Sequence, residues 1–187
     1  MKSAILVMAA GLSRRFKQAG AGHKLLATLE GKTVLQHTLE QAKATGRDVF
    51  VVSQPGDVAI HQLTDPRSLV ICASSGLGDS IAAGVRACKE YDGWLIALGD
   101  MPWLTTASYQ AVLEALERFP VVRPVISGVP GHPVGFQSSF YAALTALQGD
   151  TGAKEILRQN PLHAVRLEDQ GCLLDVDYPE ALTRSSL

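Results

Sequence analysis

The sequence predicts an α/β fold, doubly wound, in which a mostly parallel sheet carries helices on both faces. Short β-branched runs alternate with longer stretches of helical period, the sequence form of successive βαβ units. Two of the runs, 4–8 and 94–98, are apolar nearly throughout, as central strands covered on both faces must be. With 47% apolar residues in 187, the chain fills one core without an outside staple, so residues 1–187 are expected to form a single domain.

Each element has its own local signal. Strands are expected at 4–8, 48–52, 69–72, 94–98 and 121–126, with weaker candidates at 164–167 and 173–175. Val34, Leu35, Thr38, Leu39 and Ala42 form one helical stripe, and Val112, Leu113, Leu116 and Phe119 form another that Thr105 or Thr106 caps and Pro120 stops. Further helices are expected at 79–89 and 138–147, and Gly149-Asp150-Thr151 opens one that ends near Asn160-Pro161. Residues 128–136 are rich in Gly and Pro and read as a stiff excursion between a strand and a helix. No internal repeat or long linker divides the chain.

Composition excludes several classes. Seventeen basic against eighteen acidic residues give a formal charge of −1, and no basic cluster exceeds Arg14-Arg15, so a polynucleotide is not the expected partner. The N-terminal apolar run stops at Gly11 and Arg14-Arg15, too short for a membrane span and unlike a secretory leader. Cys72, Cys88 and Cys172 share no metal-ligand spacing and read as buried thiols of a reducing compartment, the cytoplasm.

The chemistry concentrates where strands end. After the first strand comes Ala9-Ala10-Gly11-Leu12-Ser13-Arg14-Arg15-Phe16, with Lys24 further on. Ligands of open α/β sheets bind at the carboxyl ends of the strands. Small residues at Ala9, Ala10 and Gly11 let the backbone approach a ligand, and the amides of such a turn, Ser13 included, suit phosphate oxygens. Arg15 and Lys24 would add positive charge for a triphosphate. The spacing is neither a Walker A loop nor a dinucleotide fingerprint, and a plain surface turn is the alternative.

Gly99-Asp100-Met101-Pro102 ends the second apolar strand. A carboxylate there faces the first loop if the two strands are neighbours, and it can hold Mg2+ against the phosphates; a turn-forming Asp is the alternative. Alternation along a short strand would send Asp175 and Asp177 to opposite sides, so only one can face the site; Asp177, at the strand end, is chosen as the second metal ligand, and two structural or exposed acids are the alternative.

Three further segments complete the candidate site. Ser75, Gly76 and Ser80 follow the third strand, where hydroxyls and amides either read a nucleoside or cap a helix. His132, with Phe136 placed to lie beneath a flat ring, forms either the wall of an acceptor site or a rigid surface turn. Asp150 and Lys154 either frame an anion at a helix start or serve as cap and solvated charge.

In their order, Ala9-Ala10-Gly11-Leu12-Ser13-Arg14-Arg15-Phe16 with Lys24-Leu25-Leu26, Gly99-Asp100-Met101-Pro102, Gly131-His132-Pro133-Val134-Gly135-Phe136 and Gly149-Asp150-Thr151-Gly152-Ala153-Lys154 resemble the MobA-like nucleotidyltransferases. Within that group the resemblance is to the molybdenum cofactor cytidylyltransferases. It implies a Rossmann-like nucleotidyltransferase fold, with CTP bound in a nucleotide half, about 1–105, and a pterin acceptor over 106–187. It implies that Arg15 and Lys24 contact the triphosphate, Asp100 binds magnesium, residues 75–80 hold the nucleoside, and His132 and residues 149–154 face the acceptor. The implied reaction moves CMP from CTP to the terminal phosphate of molybdopterin, releasing pyrophosphate, for use by a molybdenum hydroxylase or its maturation factor. The loop from Phe16 to Lys24 is longer than the family pattern. A transferase acting on a sugar or polyol phosphate is the nearest rival, and a non-catalytic nucleotide-binding or cofactor-chaperone protein is the rival of another class.

Overall fold

A computed structural model describes residues 1–13, 16, 18, 20 and 22–183. The strands are β1 (Ser3–Met8), β2 (Thr28–Leu29), β3 (Lys32–Thr33), β4 (Asp48–Ser53), β5 (Leu69–Ile71), β6 (Gly93–Leu98), β7 (Val121–Ile126), β8 (Val129–Pro130), β9 (Val134–Gln137) and β10 (His163–Arg166). Apart from the small β2–β3 hairpin they build one sheet, ordered β10-β7-β9-β6-β1-β4-β5, with β8 paired to β7. The neighbours β1–β4, β1–β6, β4–β5 and β7–β10 are parallel, whereas β9 is antiparallel to both β6 and β7.

The described helices are α1 (Val34–Lys43), α2 (Val58–Gln62), α3 (Leu77–Ala87), α4 (Thr106–Leu116), α5 (Tyr141–Thr145) and α6 (Lys154–Gln159). Alternation along β1 decides which face each covers. Ile5 and Val7 pack with Val34, Leu35 and Leu39 of α1 and Val112, Leu113 and Leu116 of α4. Ala4, Leu6 and Met8 point the other way, to Ile81 and Val85 of α3, Leu144 of α5 and Ile156 of α6. A fully buried Val, Leu or Ile contributes roughly 1.5–3 kcal/mol, so both apolar faces drive the winding. All five residues of the first expected stripe are buried, and Thr33 starts α1 with a reciprocal capping box to Gln36. Thr105 caps α4 by accepting from the Ser108 amide at 3.3 Å.

Four expectations change. Residues 134–137 are an antiparallel strand rather than a loop, wedged between β6 and β7, and Gly135 is needed there because a Cβ would fall 2.6 Å from Val122 Cγ2. Residues 173–175 form no strand; that segment is held by single bonds, among them Val176 N–H to Asp100 O at 2.9 Å. The helix expected at 79–89 begins two residues earlier, at Leu77, with Gly76 at its N-cap. The element expected from residue 149 onward is a 3-10 turn, Gly149–Thr151, then Gly152 at φ +55° and then α6. Among the described residues no helix is long and apolar enough to cross a membrane.

Candidate active site

The sheet topology brings the two sequence-predicted loops together. Met8 and Leu98 are register partners at the carboxyl ends of β1 and β6, and the Gly99 amide donates to Met8 O at 3.0 Å. Glycine suits this crossing, since a Cβ at Gly99 would lie a tight 3.0 Å from that same oxygen. Above the strand ends opens a cleft of about 320 Å3, lined by Ala10, Gly11, Leu12 and Ser13 on one side, Ser74, Ser75, Gly76 and Ser80 opposite, and Lys24, Asp100 and Asp150.

Ser13 sits at φ +50° with 7% exposure, and its Oγ has no hydrogen-bond partner among the described residues. A left-handed serine costs roughly 1–2 kcal/mol, a strain of the kind kept where a ligand is gripped. Phe16, at 1% exposure, anchors the far side of the loop in the core. Arg15, like Arg14, lies outside the described residues.

At the mouth, the Lys24 ammonium donates to Asp100 Oδ2 at 2.5 Å and to Asp177 Oδ1 at 3.1 Å. Burial depresses the lysine pKa, but the Asp100 and Asp177 carboxylates outweigh it and hold the value above the ordinary one. Carboxylate oxygens of Asp100, Asp175 and Asp177 lie within 4.8 Å of one another. Burial, with the charges of Asp100 and Asp177, raises the Asp175 pKa. Asp175 therefore shares the cluster. The expected opposition of Asp175 and Asp177 fails because residues 173–177 are not a strand: Val176 turns into the core, fully buried, and both flanking acids face Asp100. Asp100 Oδ1 is buried with no hydrogen-bond partner among the described residues. Three carboxylates with such an oxygen form the all-oxygen donor set that suits a hard divalent cation.

The loop after β5 is tied from within. Ser80 is 4% exposed; its Oγ lies 2.8 Å from Ser74 Oγ, and Ser74 Oγ donates to Gly76 O at 2.6 Å. Ser80 therefore shapes the loop with its hydroxyl already engaged. Asp79 ties this loop to the turn at residue 149. Its Oδ2 accepts from Ser75 N and Oγ at 2.9 and 2.6 Å, and its Oδ1 from Gly149 N at 2.9 Å. The Ser75 hydroxyl, with the Gly149 and Ser75 amides, drives its pKa down to about 2. The 149–150 turn thus presses on the glycines of α3: a Cβ at Gly78 would lie 2.8 Å from Gln148 O, and one at Gly76 would collide with Asp150.

Other expected positions fall elsewhere. Ala9 is fully buried and its amide donates to Val52 O at 2.8 Å, so it extends the sheet and does not line the cleft. Asp150 belongs to the same cleft as Ser75 and Gly76, not to a separate acceptor wall, and it caps neither 149–151 nor α6. Lys154 begins α6, exposed, outside the cleft lining. His132 also lies outside that lining; burial, aided by the Arg123 charge, lowers its pKa to about 4, which keeps the ring neutral with one N–H left to donate. Phe136 is fully buried against Phe140, with ring centroids 5.7 Å apart, and offers no face to a ligand. Sequence reasoning missed Gln54 and Asp79, which brace the cleft loops, and Leu12, which lines it at 40% exposure. The apolar pattern ending at Ser53 was the available signal for Gln54, which stands at a strand's carboxyl end.

Several known proteins match the chain over nearly its whole length. The chain is 31% identical to the purine catabolism protein PucB of Bacillus subtilis (strain 168) over 96% of its length and 95% of that protein. It is 24% identical to the molybdenum cofactor cytidylyltransferase of Escherichia coli (strain K12), covering 94% and 91%, and 26% identical to the nicotine blue oxidoreductase of Paenarthrobacter nicotinovorans, covering 96% and 94%. The crystal structure of Rv0371c from Mycobacterium tuberculosis H37Rv superposes with a TM-score of 0.83 at 22% identity, covering 97% of this chain and 96% of that one. The MobA-like NTP transferase domain matches residues 5–165, and the chain belongs to that family of nucleotidyltransferases.

Proposed function

We propose that the protein transfers CMP from CTP to the terminal phosphate of molybdopterin, releasing pyrophosphate, in support of a molybdenum hydroxylase. The observation that carries the nucleotidyl-transfer reading is the meeting of Lys24 with Asp100 and Asp177 at the mouth of a cleft floored by the Ala10–Gly11 turn. Cytidylyl transfer to a pterin is the reading supported by the Escherichia coli relative, which matches across nearly both chains.

In this scheme the triphosphate lies along residues 10–13, where exposed Gly11 leaves the backbone open to phosphate oxygens. Lys24 leaves the carboxylates for the phosphates and offsets their charge, and Arg15 is proposed to join it. Ser75 and Gly76 border the nucleoside, and Asp150 accepts a hydrogen bond from a ribose hydroxyl or base amine rather than meeting phosphate, since two anions would repel. Asp100, Asp177 and Asp175 would hold a magnesium ion, which supplies Lewis-acid relief of charge at the α-phosphate. The acceptor's phosphate oxygen forms the new bond to the α-phosphorus as the bond to the β-phosphate oxygen breaks, and pyrophosphate departs with that electron pair. No side chain need act as base, because the nucleophile is already anionic at neutral pH; the chain's contribution is alignment and charge neutralisation.

Purified protein supplied with Mg2+, CTP and molybdopterin should release pyrophosphate, and GTP or sugar and polyol phosphates should support less. Turnover preferring a sugar or polyol phosphate would replace the acceptor assignment. Tight CTP binding without pyrophosphate from any acceptor would favour a non-catalytic nucleotide-binding protein.

A further inference from the structure

Gln54 stands at the carboxyl end of β4, between the ends of β1 and β5, from which the two walls of the cleft emerge. Its side-chain amide donates to Ala10 O at 3.0 Å and to Ser74 O at 2.7 Å, while its Oε1 accepts from Ser74 N at 3.2 Å. Two carbonyls and one amide hydrogen as partners fix which end of the side chain is oxygen and which nitrogen. The main chain of Gln54 is itself anchored, its carbonyl accepting from the Asp57 amide at 3.2 Å and lying 3.0 Å from His61 Nε2. Ala10 and Ser74 both line the cleft and Gln54 does not, so any influence of Gln54 on a ligand passes through those two loops. No other described side chain bonds to both Ala10 and Ser74.

The loops leave strands two places apart in the sheet, a separation of roughly 10 Å at the usual strand spacing. Backbone bonds from Ala9 N to Val52 O and from Cys72 N to Ser53 O hold the loop starts to β4, and beyond them Gln54 ties the two walls between which a flat base would enter. We propose that Gln54 is a positioning residue that fixes this aperture and thereby sets the choice between pyrimidine and purine triphosphates. The proposal rests on reading the cleft as a triphosphate site; it adds the residue that governs base selection there. A donor-bearing side chain of this length is required, because only a carboxamide can donate to both carbonyls and accept from the Ser74 amide at once.

The test compares wild type with Gln54→Met, which keeps length and loses all three bonds, and Gln54→Glu, which keeps the acceptor and loses both donors. Binding of CTP and GTP with Mg2+ is measured calorimetrically, alongside KM and kcat for each. The affinity ratio between the two triphosphates should move at least about tenfold toward unity in both variants, with kcat for the preferred triphosphate within about threefold of wild type because no reacting group is touched. A ratio that stays at the wild-type value overturns the proposal, whether both affinities fall together, as for a merely structural role, or neither moves. If Gln54→Met fails to fold, Gln54→Glu decides by the same ratio. Wild type that binds no triphosphate overturns the reading of the cleft and the proposal with it; wild type that prefers GTP overturns only the CTP assignment, and the ratio still judges Gln54.

Discussion

Replacing Lys24 with methionine should destabilise the metal-free protein and make its stability depend on added divalent cation. The ammonium bonds to Asp100 at 2.5 Å and to Asp177 at 3.1 Å, with side-chain exposures of 17% for Lys24, 12% for Asp100 and 33% for Asp177. A hydrogen bond to a charged group contributes about 1.5–3 kcal/mol; the Asp100 arm deserves a middle value of about 2, and the wetter Asp177 arm about 1 or less. The loss is then about 2–3 kcal/mol. For a chain of this length that corresponds to a fall in Tm of roughly 4–12 °C. Methionine also leaves the carboxylates of Asp100, Asp175 and Asp177 crowded without that cation, which a divalent ion relieves better than the wild-type arrangement allows. Thermal melts of both proteins with and without millimolar Mg2+ or Mn2+ check the reasoning. The variant should melt lower and regain more on adding metal than wild type does. Equal melting temperatures without metal, or equal gains with it, would refute the view that lysine and metal compete for one set of oxygens.

Asp100→Ala should leave the far-ultraviolet spectrum intact and lower metal-dependent turnover by at least about a hundredfold; near-normal pyrophosphate release would remove Asp100 from the site. His132→Gln probes pH dependence. The folded histidine has a pKa of about 4 against an ordinary 6.5, so the unfolded chain binds its proton first as pH falls. Neutral burial is therefore fully tolerated above pH 6.5 and costs progressively more down to pH 4, up to about 3 kcal/mol. Urea midpoints measured from pH 7 to pH 4 should fall for wild type and fall less steeply for the variant, and parallel slopes would contradict the burial argument. Gly78→Ala places a methyl 2.8 Å from Gln148 O and 2.9 Å from Gly149 O, backbone atoms that cannot rotate aside. A loss of about 1–3 kcal/mol is expected, with a raised KM for the triphosphate because Asp150 moves with the turn; unchanged melting and KM would show that the turn yields freely.

Much of the fold was legible because strands at the centre of a parallel sheet write themselves as continuous apolar runs. β1, β4, β6 and β7 fall where the pattern put them, and the helical stripe of α1 is buried as expected. β9 was illegible because its four residues include Gly135 and follow Pro130 and Pro133, so the segment carries the punctuation of a loop. Its strand character comes from pairing with β6 and β7, a tertiary choice that no local propensity records. Leu173-Leu174-Asp175-Val176-Asp177 misled in the opposite direction: its period-two pattern mimics a strand edge, yet Val176 is its one fully buried residue and Leu173 packs only partly against the core. Phe136 was read as a ligand platform because an aromatic in a Gly/Pro-rich stretch looks exposed, whereas the strand turns it inward. Asp100, just past a strand end, and Lys24, at the far end of the first loop, were singled out separately, but their contact spans 76 residues and that with Asp177 spans 153. Pairings of that range depend on strand order, which the sequence does not display.

The acidic cluster also has an unequal footing along the chain. The family match ends at residue 165, so Asp100 lies inside it and Asp175 and Asp177 lie beyond. What delivers those two acids is a series of local ties. Asp169 accepts from Thr105 N and Oγ1 at 3.1 and 2.7 Å, from Ser108 Oγ at 2.6 Å and from Gly171 N at 2.8 Å, fastening the tail to the start of α4. Four residues after Cys172, Val176 inserts fully into the core and its amide donates to Asp100 O at 2.9 Å. With the intervening side chain inside, the acids on either side are left facing the same carboxylate. The segment therefore presents two acids to Asp100 without being a strand: beyond the Asp169 ties, the buried valine and its backbone hydrogen bond fix which way the flanking side chains face.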